Sequence, residues 1–257
     1  MRLVVKVGTS TLAHPTGHIN IRHMEQLCKV LSDLANAGNE VILVSSGAIG
    51  MGVGKLSLLK RPQDVATKQA AAAVGQCELM YTYDKHFGEY NRTVAQILLT
   101  GDVVNNTEQL ENFRATMSRL LELRVIPIIN ENDSVSTAEF GIGDNDTLAA
   151  IVAQTIRADL LVLMSDIDGL YTADPHKDPS AKLISCVECL SPEIMALGGS
   201  AGSSLGTGGM ATKLHAAELC MSAGCDMRIV NGADPTILYA IMDGNNVGTL
   251  FKGGCNK

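Results

Sequence analysis

The chain has no tryptophan and few aromatic side chains of any kind, which make up 4% of its 257 residues. It also has no block of basic residues, and its formal net charge is −7. Nucleic-acid-binding proteins normally carry a basic stripe, so this composition argues against such a partner. No apolar run approaches the ~18 residues that a membrane span needs. Lys6 interrupts the N-terminal apolar run, which argues against a secretory signal. We therefore expect a cytoplasmic protein that binds neither nucleic acid nor membranes.

The seven cysteines form no clear metal-binding pattern. Cys186 and Cys189 have the C-x-x-C spacing of some zinc and redox sites. If this stretch is a strand, however, side chains three residues apart point to opposite faces. The later pair, Cys220 and Cys225, has the wrong spacing for a zinc ribbon. We interpret the cysteines as reduced structural residues and predict no protein ligand for a metal.

Short apolar runs alternate with longer stretches of helical character along the whole chain. The predicted strands cover 3–7, 40–44, 93–99, 125–129, 160–164 and 227–230, and the predicted helices 22–37, 63–87, 108–123, 146–157 and 209–223. Strands such as VILV and LLVLM are apolar on both faces, which is typical of a parallel sheet with helices on both sides. We expect one α/β domain over 1–257, a three-layer αβα sandwich around a mainly parallel open sheet.

Ligands of such sheets bind beyond the carboxyl ends of the strands, and Lys6 lies at the end of the first one. A buried charge is costly unless it is paired. Lys6 therefore either points into solvent from an edge strand or belongs to a functional site.

Two glycine-rich segments are candidate anion sites. The first, SSGAIGMGVGK, has four glycines between Gly47 and Gly54. Backbone N–H groups at a helix start can cradle an anion, although a flexible turn is the alternative. The segment is not a Walker A loop, because Ile49 and Leu56 occupy the glycine and hydroxyl positions. The second segment, GSAGSSLGTGG at 199–209, precedes a predicted helix with Lys213 in its first turn. Cations favour the other end of a helix, so Lys213 is either a neutral surface residue or the partner of a bound anion.

Acidic and amide residues follow two further elements. Asp144, Asn145 and Asp146 stand at a predicted helix start, where Asp146 could be a simple capping or first-turn acid. The run 130–133, Asn-Glu-Asn-Asp, follows the fourth strand and could be a turn. Because these clusters converge on one edge of the sheet with Lys6 and Lys213, we interpret them together as a site.

In order along the chain, the motifs are VVKVGTS, VSSGAIGMG, PIINENDSVST, GDNDTLAA, SDIDGLYTADP and LGTGGMATKLHAA. They resemble the amino acid kinase family. More narrowly, they are similar to the branch that phosphorylates the γ-carboxylate of L-glutamate with ATP, the first step of proline biosynthesis. The nucleotide-side motif of that branch often reads Thr-Asp, and Ser165-Asp166 keeps the hydroxyl group.

The resemblance implies roles for individual residues. Lys6 would reach the transferring phosphoryl group, with the amides of Gly8 and Gly47 around its oxygens. Lys213 would approach from the nucleotide side, and Asp146 would hold both lysines. Glutamate would bind to Ser46, Asp133 and Asn145, with Asp133 on the α-ammonium group. ATP would bind to Lys6, Ser165, Asp166, Thr207, Gly208, Gly209, Met210, Ala211, Thr212 and Lys213.

The resemblance covers essentially the whole chain. It implies ATP with Mg²⁺, feedback inhibition by proline, hand-off of the product to glutamyl phosphate reductase, and a homo-oligomer. We expect a glutamate side in about 1–150, a nucleotide side in about 151–257, and no C-terminal PUA domain. The loop from Asp133 to Asp144, including Ser136 and Glu139, is the candidate glutamate- and proline-sensing element. The alternatives are a sibling kinase for N-acetylglutamate, aspartate, carbamate or a nucleotide, and a catalytically inactive amino-acid sensor.

Overall fold

The fold is built around one sheet that contains every strand of the described residues. The computed structural model describes residues 1–14, 18–136, 143–175, 177–199 and 209–254, so Glu139, Thr207 and Gly208 lie outside it. The strands are β1 (Arg2–Val7), β2 (Glu40–Ser45), β3 (Val94–Leu99), β4 (Ile126–Glu131), β5 (Leu160–Ser165), β6 (Cys186–Val187), β7 (Asp226–Asn231) and β8 (Thr249–Phe251). Their order across the sheet is β3-β4-β2-β1-β5-β7-β8-β6.

The helices connect the strands as the alternating pattern predicts. They are α1 (Thr9–Leu12), α2 (Ile21–Asn36), α3 (Ala48–Lys55), α4 (Val65–Gly88), α5 (Gly101–Asn105), α6 (Thr107–Glu122), α7 (Asn145–Thr155), α8 (Pro192–Ala196), α9 (Met210–Ser222) and α10 (Ile237–Met242). All predicted strands and helices are present with small shifts at their ends. The sequence pattern missed the short elements α1, α3, α5, α8, α10, β6 and β8, which span too few residues to show a periodicity.

Strand β1 lies in the middle of the sheet, with β2 on one side and β5 on the other. Lys6 faces Val44 of β2 and Leu163 of β5 in the register. The edge-strand interpretation of Lys6 is therefore wrong. Every strand pair is parallel except β7 with β8, so the prediction of a mainly parallel sheet is confirmed.

Alternating side chains of each central strand enter two separate cores. Val4 of β1 packs in a core with residues of α6, α7 and α9, whereas Leu3 and Val5 pack in another with residues of α2 and α4. Because successive strand residues point to opposite faces, a strand apolar on both faces needs a helical layer on each side. The predicted three-layer αβα sandwich is confirmed.

Helices α3 and α4 approach each other at backbone distance. A Cβ atom added to Gly75 would lie 1.7 Å from the carbonyl oxygen of Ala48, and one added to Gly52 would lie 1.8 Å from that of Ala71. Gly47 precedes α3 with φ = +111°, a left-handed conformation that favours glycine. The glycine-rich segment is thus a packed helix with a sharp entry turn, and the flexible-turn interpretation is wrong.

Backbone hydrogen bonds join the carboxyl ends of neighbouring strands. Ser46 N–H donates to Val7 O at 3.1 Å, and Gly232 N–H donates to Ser165 O at 2.7 Å. The chain segments that follow β2 and β7 are therefore held against the ends of β1 and β5.

Five cysteines of the described residues are free, namely Cys28, Cys77, Cys186, Cys220 and Cys225. Cys189 is disulfide-bonded, so the expectation of reduced cysteines is wrong at that position. Within the described part of the chain, no helix combines the length and apolar character needed to cross a membrane.

Candidate active site

The two oddly placed lysines meet at one carboxylate. Lys6 Nζ lies 2.6 Å from Asp146 Oδ1, and Lys213 Nζ lies 3.0 Å from Asp146 Oδ2. Asp146 is 1% exposed, and both lysines are buried beside it. Each buried charge therefore has a partner, which is the condition under which burial of charge is tolerated.

Asp146 is available to the lysines because another residue caps helix α7. The side chain of Asp144 accepts hydrogen bonds from the N–H groups of Asp146 and Thr147, both at 2.9 Å. Asp144 is thus the N-cap, and the capping interpretation of Asp146 is wrong. From the first turn of α7, the Asp146 carboxylate points towards Lys6 at the end of β1 and Lys213 in α9.

The start of α9 is tied to the same carboxylate. Thr212 Oγ1 lies 3.2 Å from Asp146 Oδ2 and 2.8 Å from Gly209 O. Gly209, the N-cap residue of α9, has no side chain that could accept hydrogen bonds from the first N–H groups of the helix. Uncapped N–H groups at a helix start favour an anion, and Lys213 stands in the same turn.

The electrostatics of the cluster favour an ionised carboxylate. Burial alone raises the pKa of Asp146, but the nearby Lys6 and Lys213 ammonium groups outweigh it and hold that pKa below its usual value. Two positive charges against one negative charge leave a local excess of positive charge. The cluster can therefore attract and stabilise a polyanion such as a phosphate group.

A chain of hydrogen bonds lies beside this cluster. Asn145 Nδ2 donates to Ser46 Oγ at 2.7 Å and to Asn130 Oδ1 at 3.0 Å. Asn130 Nδ2 in turn donates to Gln76 Oε1 at 2.9 Å. These four side chains come from α7, β4, α4 and the turn between β2 and α3, so the fold brings Ser46 and Asn145 together.

Asp133 follows β4 in a turn, close to other charged groups. Burial and the neighbouring carboxylate of Glu131 raise the pKa of Asp133 to about 6, while Arg61 acts in the opposite direction. A half-buried acid with a raised pKa gains from a cationic ligand that compensates its charge. Asp133 is therefore suited to an ammonium group.

The remaining predicted residues flank these two groups. A Cβ atom added to Gly8 would lie 3.6 Å from Lys6 Nζ, so Gly8 lies close to the end of that lysine side chain. At the end of β5, buried Ser165 donates from Oγ to Oδ1 of exposed Asp166 at 3.1 Å. Of the predicted nucleotide segment, Gly209, Met210, Ala211 and Thr212 form the entry to α9, and Ala211 is exposed.

The sequence interpretation missed two residues of this region. Asn130 belongs to the run 130–133, in which the resemblance assigns a role only to Asp133. Gln76 gave no signal, because a glutamine inside a long predicted helix has no distinguishing pattern. Its contact with Asn130 depends on how α4 packs against the sheet, which only the fold reveals.

No group of three or more His, Cys, Asp or Glu side chains is arranged to hold a metal ion in the part of the chain that the structure describes. Cys186 lies on β6, well away in the strand order from β1 and β2.

Solved structures share this fold at low sequence identity. The T. acidophilum isopentenyl phosphate kinase product complex superposes with a TM-score of 0.67, covering 97% of this chain and 99% of that one at 16% identity. UMP kinase from Bacillus anthracis gives the same TM-score at 16% identity, covering 98% of this chain and 95% of that one.

The sequence comparisons identify the family. The amino acid kinase family profile matches residues 1–231, and the chain belongs to that family. It is 54% identical over 254 residues to glutamate 5-kinase of Listeria innocua, covering 97% of this chain and 92% of that relative. It is 51% identical to glutamate 5-kinase of Clostridium perfringens over the same length, covering 94% of that relative.

Proposed function

We propose that the chain is a glutamate 5-kinase, which transfers the γ-phosphoryl group of ATP to the γ-carboxylate of L-glutamate in proline biosynthesis. The observation that carries the proposal is the pairing of Lys6 and Lys213 on Asp146, next to the hydrogen-bonded amide of the adjacent residue Asn145. Relatives named glutamate 5-kinase that are more than half identical over 97% of the chain support the same substrate.

The reaction needs charge stabilisation rather than a general base. A γ-carboxylate has a reference pKa of ~4.3, so it is already ionised at neutral pH. One of its oxygens forms a bond to the γ-phosphorus as the bond from that phosphorus to the β,γ-bridging oxygen breaks, and ADP leaves with the electron pair. Both reactants are anions, so catalysis depends on positioning and on groups that offset negative charge.

The two lysines have complementary tasks in this mechanism. Lys6 contacts the transferring phosphoryl group from the sheet, with the amides of Gly8 and Gly47 beside it. Lys213 contacts the phosphates from the uncapped start of α9. Asp146 keeps the two ammonium groups in place, and its own charge prevents their mutual repulsion from separating them.

Glutamate binds on the side of β2 and β4. Ser46 and Asn145 contact glutamate, with the Ser46 hydroxyl as a donor to one of its carboxylate groups, and Asp133 pairs with its α-ammonium group. The substrate ammonium compensates the cost that burial imposes on the Asp133 carboxylate. N-acetylglutamate has no ammonium group, so Asp133 disfavours it as a substrate.

ATP binds on the side of β5 and α9, to Ser165, Asp166 and the segment 207–213. Mg²⁺ arrives as part of the nucleotide substrate, coordinated by phosphate oxygens and water, since hard oxygen ligands suit it. This arrangement divides a single domain into a glutamate side, about 1–150, and a nucleotide side, about 151–257.

Proline inhibition, homo-oligomer formation and hand-off to glutamyl phosphate reductase remain parts of the proposal. An acyl phosphate hydrolyses readily, which favours rapid consumption by a reductase. The start of the sensing loop is tied to α4, because Gln69 Nε2 donates to Ser136 O at 3.3 Å. If Ser136→Ala and Glu139→Ala variants keep the parental proline inhibition and glutamate KM, the loop is not the sensing element.

The deciding experiment traps the acyl phosphate with hydroxylamine in the presence of ATP and Mg²⁺. L-glutamate, N-acetylglutamate, L-aspartate and carbamate are compared. Hydroxamate from glutamate alone, decreasing as proline is added, is the expected result. Hydroxamate only from another acid would identify a sibling kinase and overturn the role of Asp133. No product from any acid, with ATP still bound, would identify a sensor.

A further inference from the structure

Gln76 is a buried polar residue that the proposed mechanism does not use. It lies on α4 and is 8% exposed, and its Oε1 accepts from the side-chain amide of Asn130, which is 2% exposed. Its Nε2 is buried and has no hydrogen-bond partner in the part of the chain that the structure describes. A buried donor without a partner costs about 1–3 kcal/mol, so this glutamine is not explained by stability.

The hydrogen bonds at Asn130 define which way round its amide lies. Asn130 Oδ1 receives two donors, the Asn145 side chain at 3.0 Å and the Glu131 N–H group at 2.9 Å. Its Nδ2 must therefore face Gln76, and only an acceptor at that position satisfies it. Without such an acceptor, the buried Asn130 Nδ2 is left unpaired, and one of the groups that hold this orientation is lost.

The orientation of the Asn130 amide determines the hydrogen-bond roles of Asn145 and Ser46, which face the glutamate site in the proposed function. Both hydrogens of Asn145 Nδ2 are directed to Ser46 Oγ and Asn130 Oδ1. Asn145 Oδ1 is then left as an acceptor, and the Ser46 hydroxyl is left as a donor. If the Asn130 amide turned over, its Nδ2 would face Asn145 Nδ2. Two donors repel each other, so Asn145 would have to turn as well, and the Ser46 hydroxyl would then donate to Asn145 Oδ1 and lose its free hydrogen.

The packing of α4 keeps Gln76 in place. The preceding residue, Gly75, lies against the first residue of α3 so closely that an added Cβ would be 1.7 Å from Ala48 O. This contact fixes the position of α4 relative to α3. It therefore also fixes the point from which the Gln76 side chain extends towards Asn130. The same contact involves the helix that begins directly after Ser46 and Gly47.

We propose that Gln76 is a positioning residue, which sets the hydrogen-bond polarity of Asn145 and Ser46 through the Asn130 amide and so determines how the kinase recognises glutamate. The proposal rests on the proposed function, because it assigns Ser46 and Asn145 to glutamate. Gln76 touches neither substrate in this scheme and acts through Asn130 alone.

The test begins with the Gln76→Met variant, which keeps the side-chain length and removes the acceptor. In the hydroxylamine assay, glutamate KM should rise about tenfold, the effect of ~1.4 kcal/mol, and ATP KM should stay within about twofold of the parent. Gln76→Glu restores an acceptor for Asn130 Nδ2, and its glutamate KM should lie closer to the parental value than that of Gln76→Met. This second variant also serves if Gln76→Met does not fold.

Tyr83→Phe is the matched control. Tyr83 is fully buried on the same helix, and its hydroxyl shares a hydrogen bond of 2.7 Å with Ser45 Oγ. This variant should lower Tm without changing glutamate KM. An equal rise of glutamate KM in Tyr83→Phe and Gln76→Met would show general loosening of α4 and overturn the proposal.

A double-mutant cycle tests the route through Asn130. In an Asn130→Ala background, Gln76→Met should cause no further rise of glutamate KM, because the intermediate amide is gone. An unchanged glutamate KM in Gln76→Met, or additive effects in the cycle, would overturn the proposal while leaving the proposed function intact. No hydroxamate from glutamate with the parent enzyme would instead overturn both.

Discussion

Lys6 and Lys213 contact the two oxygens of one carboxylate, although they stand near opposite ends of the chain. Lys6 comes from a central strand and Lys213 from a helix on one face of the sheet. Neither ammonium group could be buried next to the other without Asp146 between them. The carboxylate therefore acts as the structural link between the two cations that stabilise the transferring phosphoryl group in the proposed mechanism.

Replacing Lys6 by alanine should reduce kcat strongly and change glutamate KM little. The interaction of Lys6 with the phosphoryl group strengthens as charge develops in the transition state, and loss of one such group typically costs ~3–4 kcal/mol. Steady-state kinetics of the hydroxylamine reaction measure the effect. Lys55→Ala is the control, because Lys55 is an exposed lysine paired with Glu78 on the surface. Near-parental kcat in Lys6→Ala would contradict the catalytic role.

Replacing Asp146 by asparagine should destabilise the fold. Two buried ammonium groups would lose their counter-charge, and breaking a buried charge network of this kind costs about 3–5 kcal/mol. The lowered pKa of Asp146 gives the sign of the pH effect: its stabilisation is present above the unfolded-state pKa and is lost as the pH falls through the lower folded-state pKa. Urea denaturation of parent and variant checks both statements. Glu78→Gln, which breaks the exposed pair with Lys55, should leave the midpoint almost unchanged.

Glutamate recognition should weaken as the pH falls through about 6, the pKa of Asp133. Below that pH the acid is neutral and no longer attracts the α-ammonium group. The ratio kcat/KM for glutamate, measured from about pH 8 to about pH 5, reports the free enzyme. Asp133→Asn should lower this ratio and remove the pH dependence near 6. If kcat/KM of Asp133→Asn shows a pH dependence of the same size near 6, another group is responsible for that dependence.

The raised pKa of Asp133 also predicts a stability effect of opposite sign. Because the folded state binds the proton more tightly than the unfolded chain, the stabilisation of the protonated form is lost as the pH rises through about 6. Asp133→Asn should therefore raise Tm above that pH in the absence of glutamate. A lower Tm in Asp133→Asn would show that the carboxylate stabilises the empty site.

Replacing Gly75 by alanine should destabilise the protein and weaken glutamate binding together. The added Cβ would lie 1.7 Å from Ala48 O, so α3 and α4 must separate. Overpacking of this kind typically costs about 1–3 kcal/mol. Gly88→Ala, on the same helix with no atom within 4 Å of the added Cβ, is the matched control and should keep both Tm and glutamate KM. Parental behaviour of Gly75→Ala would mean that the helices separate without cost.

The sequence predicted the parts of this structure that depend on local pattern. Apolar runs gave the six longer strands and the periodic stretches gave the five longer helices, because both signals repeat over many residues. The short helix α3 was not predicted, because its segment contains four glycines and glycine has a low helix propensity. Its stability comes from close packing against α4. Tertiary contact overrides propensity at that point.

In the candidate site, too, some residues could be predicted from local sequence pattern and others depend on tertiary contacts. Lys6 was selected because a charged residue in an apolar run conflicts with its surroundings, whereas Asp146 suits a helix start and received its role from the family resemblance. The capping role of Asp144 could not be predicted, since either acid is a suitable N-cap by type. Gln76 could not be predicted at all, because its only distinguishing feature is the distance from α4 to the end of β4.

The separation of the hydrogen-bonded amide chain from the lysine cluster has a consequence for laboratory evolution. Gln76, Asn130 and Ser46 sit on α4, β4 and the entry to α3, whereas the charges sit on β1, α7 and α9. A library restricted to the first group can explore new acceptor acids while the groups that handle the phosphoryl donor stay intact. Asn145 and Asp146 are adjacent in the chain. A substitution that changes specificity by moving Asn145 would therefore also move Asp146 and reduce turnover.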